Sequence, residues 1–139
     1  MILDHGKPKH VEADERLRRE PIIWLTTVSP SGQPQSTPVW FLWDGDEFLI
    51  YGSKDGPKTP NIQANPHVSL HLEGNGTGGR NVIFEGQARI DPDGAAAREV
   101  DEYIAKYRSI VDSYGWTFES FAEDYPYVIK VIPTRARIW

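Results

Sequence analysis

Between Ser29 and Asn61 the chain sets a Gly/Ser/Lys loop close to an aromatic, extended run. The loop is Ser53-Lys-Asp-Gly-Pro-Lys58, and it opens into a short stretch with helical character. Hydroxyls, free backbone N–H groups and a lysine at a helix start suit an anion. The extended run, Thr37-Pro-Val-Trp-Phe41, suits the face of a flat ring. Together they point to a cofactor that carries both a phosphate and a ring. Lys58 is the first candidate for the phosphate, and a solvated surface lysine is the competing reading. Ser53 can give a hydroxyl to the same anion or simply hold the turn. Lys54 lies in the loop without fixed geometry and is more open to a plain surface role. Asn61 either fastens the loop or donates to the phosphate. Thr37, Pro38, Val39 and Trp40 are the candidates to line the ring. Strand alternation puts Val39 and Phe41 on one face, and Trp40 and Leu42 on the other. One of these faces belongs to the core, and Phe41 and Leu42 are its stronger candidates.

Other chemistries find less support. His67 and His71 are four apart, which in a strand separates them by about 13 Å, and no carboxylate cluster joins them. No metal site is expected. There is no nucleophile-elbow pattern for a serine hydrolase. The run Gly74-Asn-Gly-Thr-Gly-Gly79 leads into a strand rather than a helix, so it does not read as a dinucleotide fingerprint.

The 139 residues are enough for one domain with a core that needs no disulfide. Cysteine is absent, which excludes disulfides, thiolate metal sites and cysteine nucleophiles and fits the reducing cytoplasm. A net charge of −5 argues against nucleic acid or an anionic membrane as partner. The apolar runs are too short to span a bilayer. Five tryptophans suit a barrel core or a ring-binding pocket.

The elements that would position these residues follow from local pattern. Met1–His10 is polar, contains Pro8, and reads as a loose arm rather than a signal peptide. A helix is predicted over Val11–Glu20, stopped by Pro21. Strands are predicted over Ile22–Val28, Gln35–Trp43, Glu47–Tyr51, His67–Glu73, Asn81–Ile90 and Tyr127–Ile132, the last extended by Ala136–Trp139 beyond Pro133. Asp44-Gly45 is a hairpin signal. Gly86 marks a bulge or a close backbone approach. A short helix is expected over Pro57–Asn65. A longer one opens at Asp91-Pro-Asp-Gly and runs through Tyr107, and Thr117 caps another over Phe118–Asp124. Six strands in mostly hairpin order, with helices inserted, read as a six-stranded antiparallel split β-barrel.

This ordered set resembles the pyridoxamine 5'-phosphate oxidase-like split β-barrel family, in the branch that uses the deazaflavin coenzyme F420. The stretches that carry the resemblance include Thr26-Thr-Val-Ser-Pro-Ser-Gly-Gln-Pro34, Thr37-Pro-Val-Trp-Phe41, Lys58-Thr-Pro-Asn-Ile62, Phe84-Glu-Gly-Gln-Ala88 and the closing Val131–Trp139. The resemblance implies a homodimer with the cofactor in a groove at its interface. It implies ring contacts from Thr37–Phe41 and a phosphate near Ser53, Lys58 and Asn61. Gly56 and Pro60 stand where relatives often carry Arg. It further implies hydride transfer to an electron-poor small molecule such as an activated enone, a quinone or a tetrapyrrole. The cofactor would carry that step, which accounts for the lack of an acid–base constellation. FMN is the alternative cofactor, and a non-catalytic flavin- or haem-binding module is the alternative class. For the F420 tail, Lys7, Lys9, Lys54 and Arg80 are the available cations.

Overall fold

The computed structural model describes residues 2–139; Met1, the first residue of the expected loose arm, lies outside the described residues. The rest of that segment is not loose. Leu3 is buried in the main core, and helix α1 (Pro8–Arg19) begins within it, with Pro8 in the first turn where a missing N–H costs nothing.

Seven strands follow, mixed with three more helices and one 3₁₀ turn: β1 (Ile23–Val28), β2 (Pro34–Val39), β3 (Leu42–Trp43), β4 (Phe48–Gly52), α2 (Lys58–Ala64), β5 (His67–His71), β6 (Val82–Ile90), the 3₁₀ turn Ala97–Glu99, α3 (Asp101–Ser113), α4 (Phe118–Asp124) and β7 (Tyr127–Ile138). All pairings are antiparallel, in the order β2-β1-β5-β6-β7-β4-β3. The two edge strands, β2 and β3, are therefore consecutive in sequence, with only Trp40 and Phe41 between them. A two-residue link cannot span an open seven-stranded sheet, so the sheet must curl until its edges meet. The edges do not pair with each other, and the barrel is split there. This is also why the run Gln35–Trp43 is two strands rather than one, giving seven strands instead of six.

Alternation along the strands builds two cores. In β4, Phe48 and Ile50 enter the barrel interior, while Leu49 and Tyr51 face outward onto a second cluster. Val39 and Phe41 join the interior and Trp40 and Leu42 the outer cluster, as the alternation predicts. That outer cluster is closed by α3 and α4 through Tyr103, Tyr107, Val111, Phe118 and Phe121. Helix α3 starts at Asp101, later than the sequence suggests. The segment before it is spent on a backbone bond from Asp91 to Val128 and on the 3₁₀ turn. The β6–β7 register shifts between Glu85 and Gly86, where a Cβ on Gly86 would lie 2.8 Å from the Ile132 carbonyl oxygen. Gly86 thus marks both a bulge and a close approach, and β7 continues through Pro133.

Candidate functional site

A cavity of about 400 Å³ opens where the β2–β3 link meets α3 and α4. Thr37, Pro38, Val39 and Trp40 all line it, together with Ser53 and Lys58. Six of the eight site residues expected from sequence are thus brought to one hollow from three separate elements.

Its aromatic wall belongs to a stack of rings that reaches Tyr107 behind it. Trp40 stacks on Tyr107 with ring centres 4.6 Å apart and planes 7° from parallel. It also stacks on Phe121 at 5.3 Å and 8°, and Phe121 stacks in turn on Tyr125 at 4.7 Å. The chain builds this wall by a tight α3–α4 turn. Gly115 takes a φ of 71°, where a glycine is needed to end α3. Thr117 then caps α4: its side chain accepts from the Ser120 N–H at 3.0 Å, and the Ser120 hydroxyl accepts from the Thr117 N–H at 3.1 Å. The residue between them, Trp116, also lines the cavity.

Lys58 begins α2 on the cavity wall. The residue is half-buried and makes no ion pair with any carboxylate among the described residues. Burial holds its pKa below the ordinary lysine value. A partly desolvated cation without a counter-ion is a seat for an anion. The backbone adds less than a full helix start would: Pro60 has no N–H, and the Asn61 N–H is already bonded to the Pro57 carbonyl at 3.0 Å. Ser53 Oγ accepts from the Asp55 N–H at 3.4 Å and keeps its own proton to donate.

The two remaining residues stand apart from the hollow. Asn61 is buried, and its amide donates to Thr27 Oγ1 at 3.0 Å and Gln35 Oε1 at 2.8 Å, tying α2 to β1 and β2. Here it fastens the loop. Lys54 lines an adjoining hollow of about 310 Å³, where its amine lies 3.8 Å from Asp124 Oδ1. Ser53, Trp116, Phe121 and Tyr125 wall both hollows. The cations expected for a long anionic tail do not gather within the chain. Lys9 and Arg80 line a different cavity, by α1 and Trp139, and Arg80 is paired with Glu12.

Ile22, Tyr51, Tyr103, Trp116, Phe121 and Tyr125 complete the wall without having been singled out from sequence. Tyr103 is a core residue of the outer cluster, and only the facing of α3 and α4 onto the same hollow places it on the cavity wall as well.

Residues 10–139 match the family model described as pyridoxamine 5'-phosphate oxidase. A 56-residue stretch is 36% identical to the F420H2-dependent quinone reductase of Mycobacterium tuberculosis, covering 37% of this chain. The chain thus spans only 38% of the length of that curated relative. Among solved structures, an F420 reductase superposes with a TM-score of 0.66 at 29% identity, over 89% of this chain and 94% of the other. The heme storage protein HutZ of Vibrio cholerae superposes with a TM-score of 0.65 at 14% identity, over 95% of each chain, a likeness of fold alone.

Proposed function

The chain belongs to the pyridoxamine 5'-phosphate oxidase family, and on that premise we propose that it is an oxidoreductase that uses reduced coenzyme F420 to reduce an electron-poor small molecule. The observation that carries this reading is the half-buried, unpaired Lys58 on the wall of an aromatic cavity. The residues fit such a cofactor: Lys58 and Ser53 would hold its phosphate, and the backbone of Thr37–Trp40 would lie along its ring. The bound deazaflavin supplies a hydride. The chain's own part is to orient the ring, exclude water with Trp40, Trp116 and Phe121, and balance the phosphate charge. The F420 reductase superposition and the partial match to a quinone reductase support F420 over FMN. The cofactor would lie between two protomers of a homodimer.

The test is a fluorescence titration of the purified protein with F420, repeated with FMN as competitor. Micromolar or tighter F420 binding that FMN does not displace is expected. Binding of FMN alone would move the protein to flavin chemistry, and binding of neither would overturn the reading.

A further inference from the structure

Three tyrosines are buried side by side in the outer core, and two of them spend their hydroxyls on the backbone. Tyr51 donates to the Ala95 carbonyl at 2.8 Å. The Tyr107 hydroxyl lies 2.8 Å from the Pro21 carbonyl and 3.0 Å from that of Phe41, and it accepts from the Phe41 N–H at 2.8 Å. The third, Tyr103, packs against both, with ring centres 4.9 Å and 4.8 Å away, and is fully buried. Its hydroxyl has no hydrogen-bond partner among the described residues. A buried hydroxyl without a partner is a net cost to the fold, and a phenylalanine would pack the same space without it. Only one other buried side-chain polar atom among the described residues is in this position, Thr59 Oγ1, and Thr59 does not line the cavity. Tyr103 does line it.

We infer that Tyr103 donates its hydroxyl to a carbonyl oxygen of a flat, conjugated ligand held in this cavity, and that it is a residue that sets specificity for such carbonyl compounds. The surroundings fit that role. The wall is aromatic and takes a flat ring, Tyr51 is already satisfied, and Lys58 is suited to a full negative charge rather than a neutral carbonyl. Burial, reinforced by Tyr107 and Tyr51, keeps the Tyr103 phenol protonated well beyond its ordinary range, so it stays a donor at any working pH. The proposal deepens the oxidoreductase reading and rests on it. The carbonyl can belong to the cofactor ring or to the substrate, and the test separates the two.

Tyr103→Phe removes the hydroxyl and nothing else. Dissociation constants are measured by tryptophan quenching for F420, for FMN, for menadione (a flat quinone) and for 2-methylnaphthalene (its hydrocarbon frame). The variant is expected to melt at or above the wild-type temperature without ligand. It is expected to lose roughly three- to tenfold in affinity for a carbonyl ligand and nothing for the hydrocarbon. A loss confined to F420 or FMN assigns the carbonyl to the cofactor, and a loss confined to menadione assigns it to the substrate. Unchanged affinity for every carbonyl ligand, or an equal loss for the hydrocarbon, overturns the proposal. If neither F420 nor FMN binds the wild type but menadione binds through Tyr103, the cofactor reading fails and this one stands. If wild type binds none of the carbonyl ligands, both fail.

Discussion

Two half-buried lysines face opposite tasks, and each predicts its own experiment. Lys58 is held half-buried with no counter-charge, so removing it should help the ligand-free fold slightly and hurt cofactor binding. Lys58→Ala is expected to weaken F420 binding by about 1.5–3 kcal/mol, the range for a charge-assisted hydrogen bond. A folded variant with unchanged affinity in the same quenching titration would remove Lys58 from the site. Lys106 is structural. Its Nζ donates to the Phe41 carbonyl at 2.8 Å and sits 3.8 Å from the centre of the Phe41 ring, clamping α3 to the β2–β3 link. Burial pushes its pKa down to about 8, against a smaller upward pull from Glu20. A lysine depressed by folding holds fewer protons in the native state than in the unfolded one between its two pKa values. Its destabilising contribution is therefore full below about pH 8 and fades as pH rises toward the ordinary lysine range. Thermal melts of wild type and Lys106→Met should show the wild type gaining on the variant from about pH 8 to about pH 10. A gap that stays constant with pH would mean that the amine titrates normally.

Helix α4 is a short element on which much of the cavity wall hangs, since it carries Phe121 and leads directly into Tyr125. It holds together through its cap. Thr117→Ala removes the side-chain acceptor of the Ser120 N–H, leaving only the Thr117 N–H bond to the Ser120 hydroxyl, and is expected to cost about 1 kcal/mol, or roughly 3 °C in melting temperature. An unchanged melt by circular dichroism would show that packing alone holds the helix. This cap is legible in the sequence because it is local: Thr117, followed by an apolar pattern, is sufficient. The Asp44-Gly45 turn is legible for the same reason, with Gly45 at a φ of 100°, and so is the Gly86 bulge. The break at Trp40–Phe41 is not, because strand propensity runs through it and only closure of the barrel interrupts it. The role of Asn61 needs Thr27 and Gln35, brought from two other strands. Lys58 was legible as a candidate, but its lack of a counter-ion is a property of the assembled surface. Trp116, Phe121, Tyr125 and Tyr103 read as ordinary helix and turn residues until two helices are laid over the outer face of the sheet.

At the scale of the whole molecule, apolar side chains remain in the open. Tyr127 and Ile132 are exposed on β7, and Trp139 follows it. Sedimentation at micromolar concentration is expected to give a dimer, and a monomer there would count against a cofactor groove shared by two protomers. No helix among the described residues is long and apolar enough to cross a membrane. The strand order carries a consequence for synthesis. The last strand, Tyr127–Ile138, lies between β6 and β4, and nothing else joins the β3–β4 hairpin to the sheet. As the chain leaves the ribosome, β1, β2, β5 and β6 can assemble in turn while that hairpin waits with an unpaired edge. Closure is then a single late event, and until it occurs the edges of β6 and β4 that β7 will cover stay open to chaperones or to neighbouring chains.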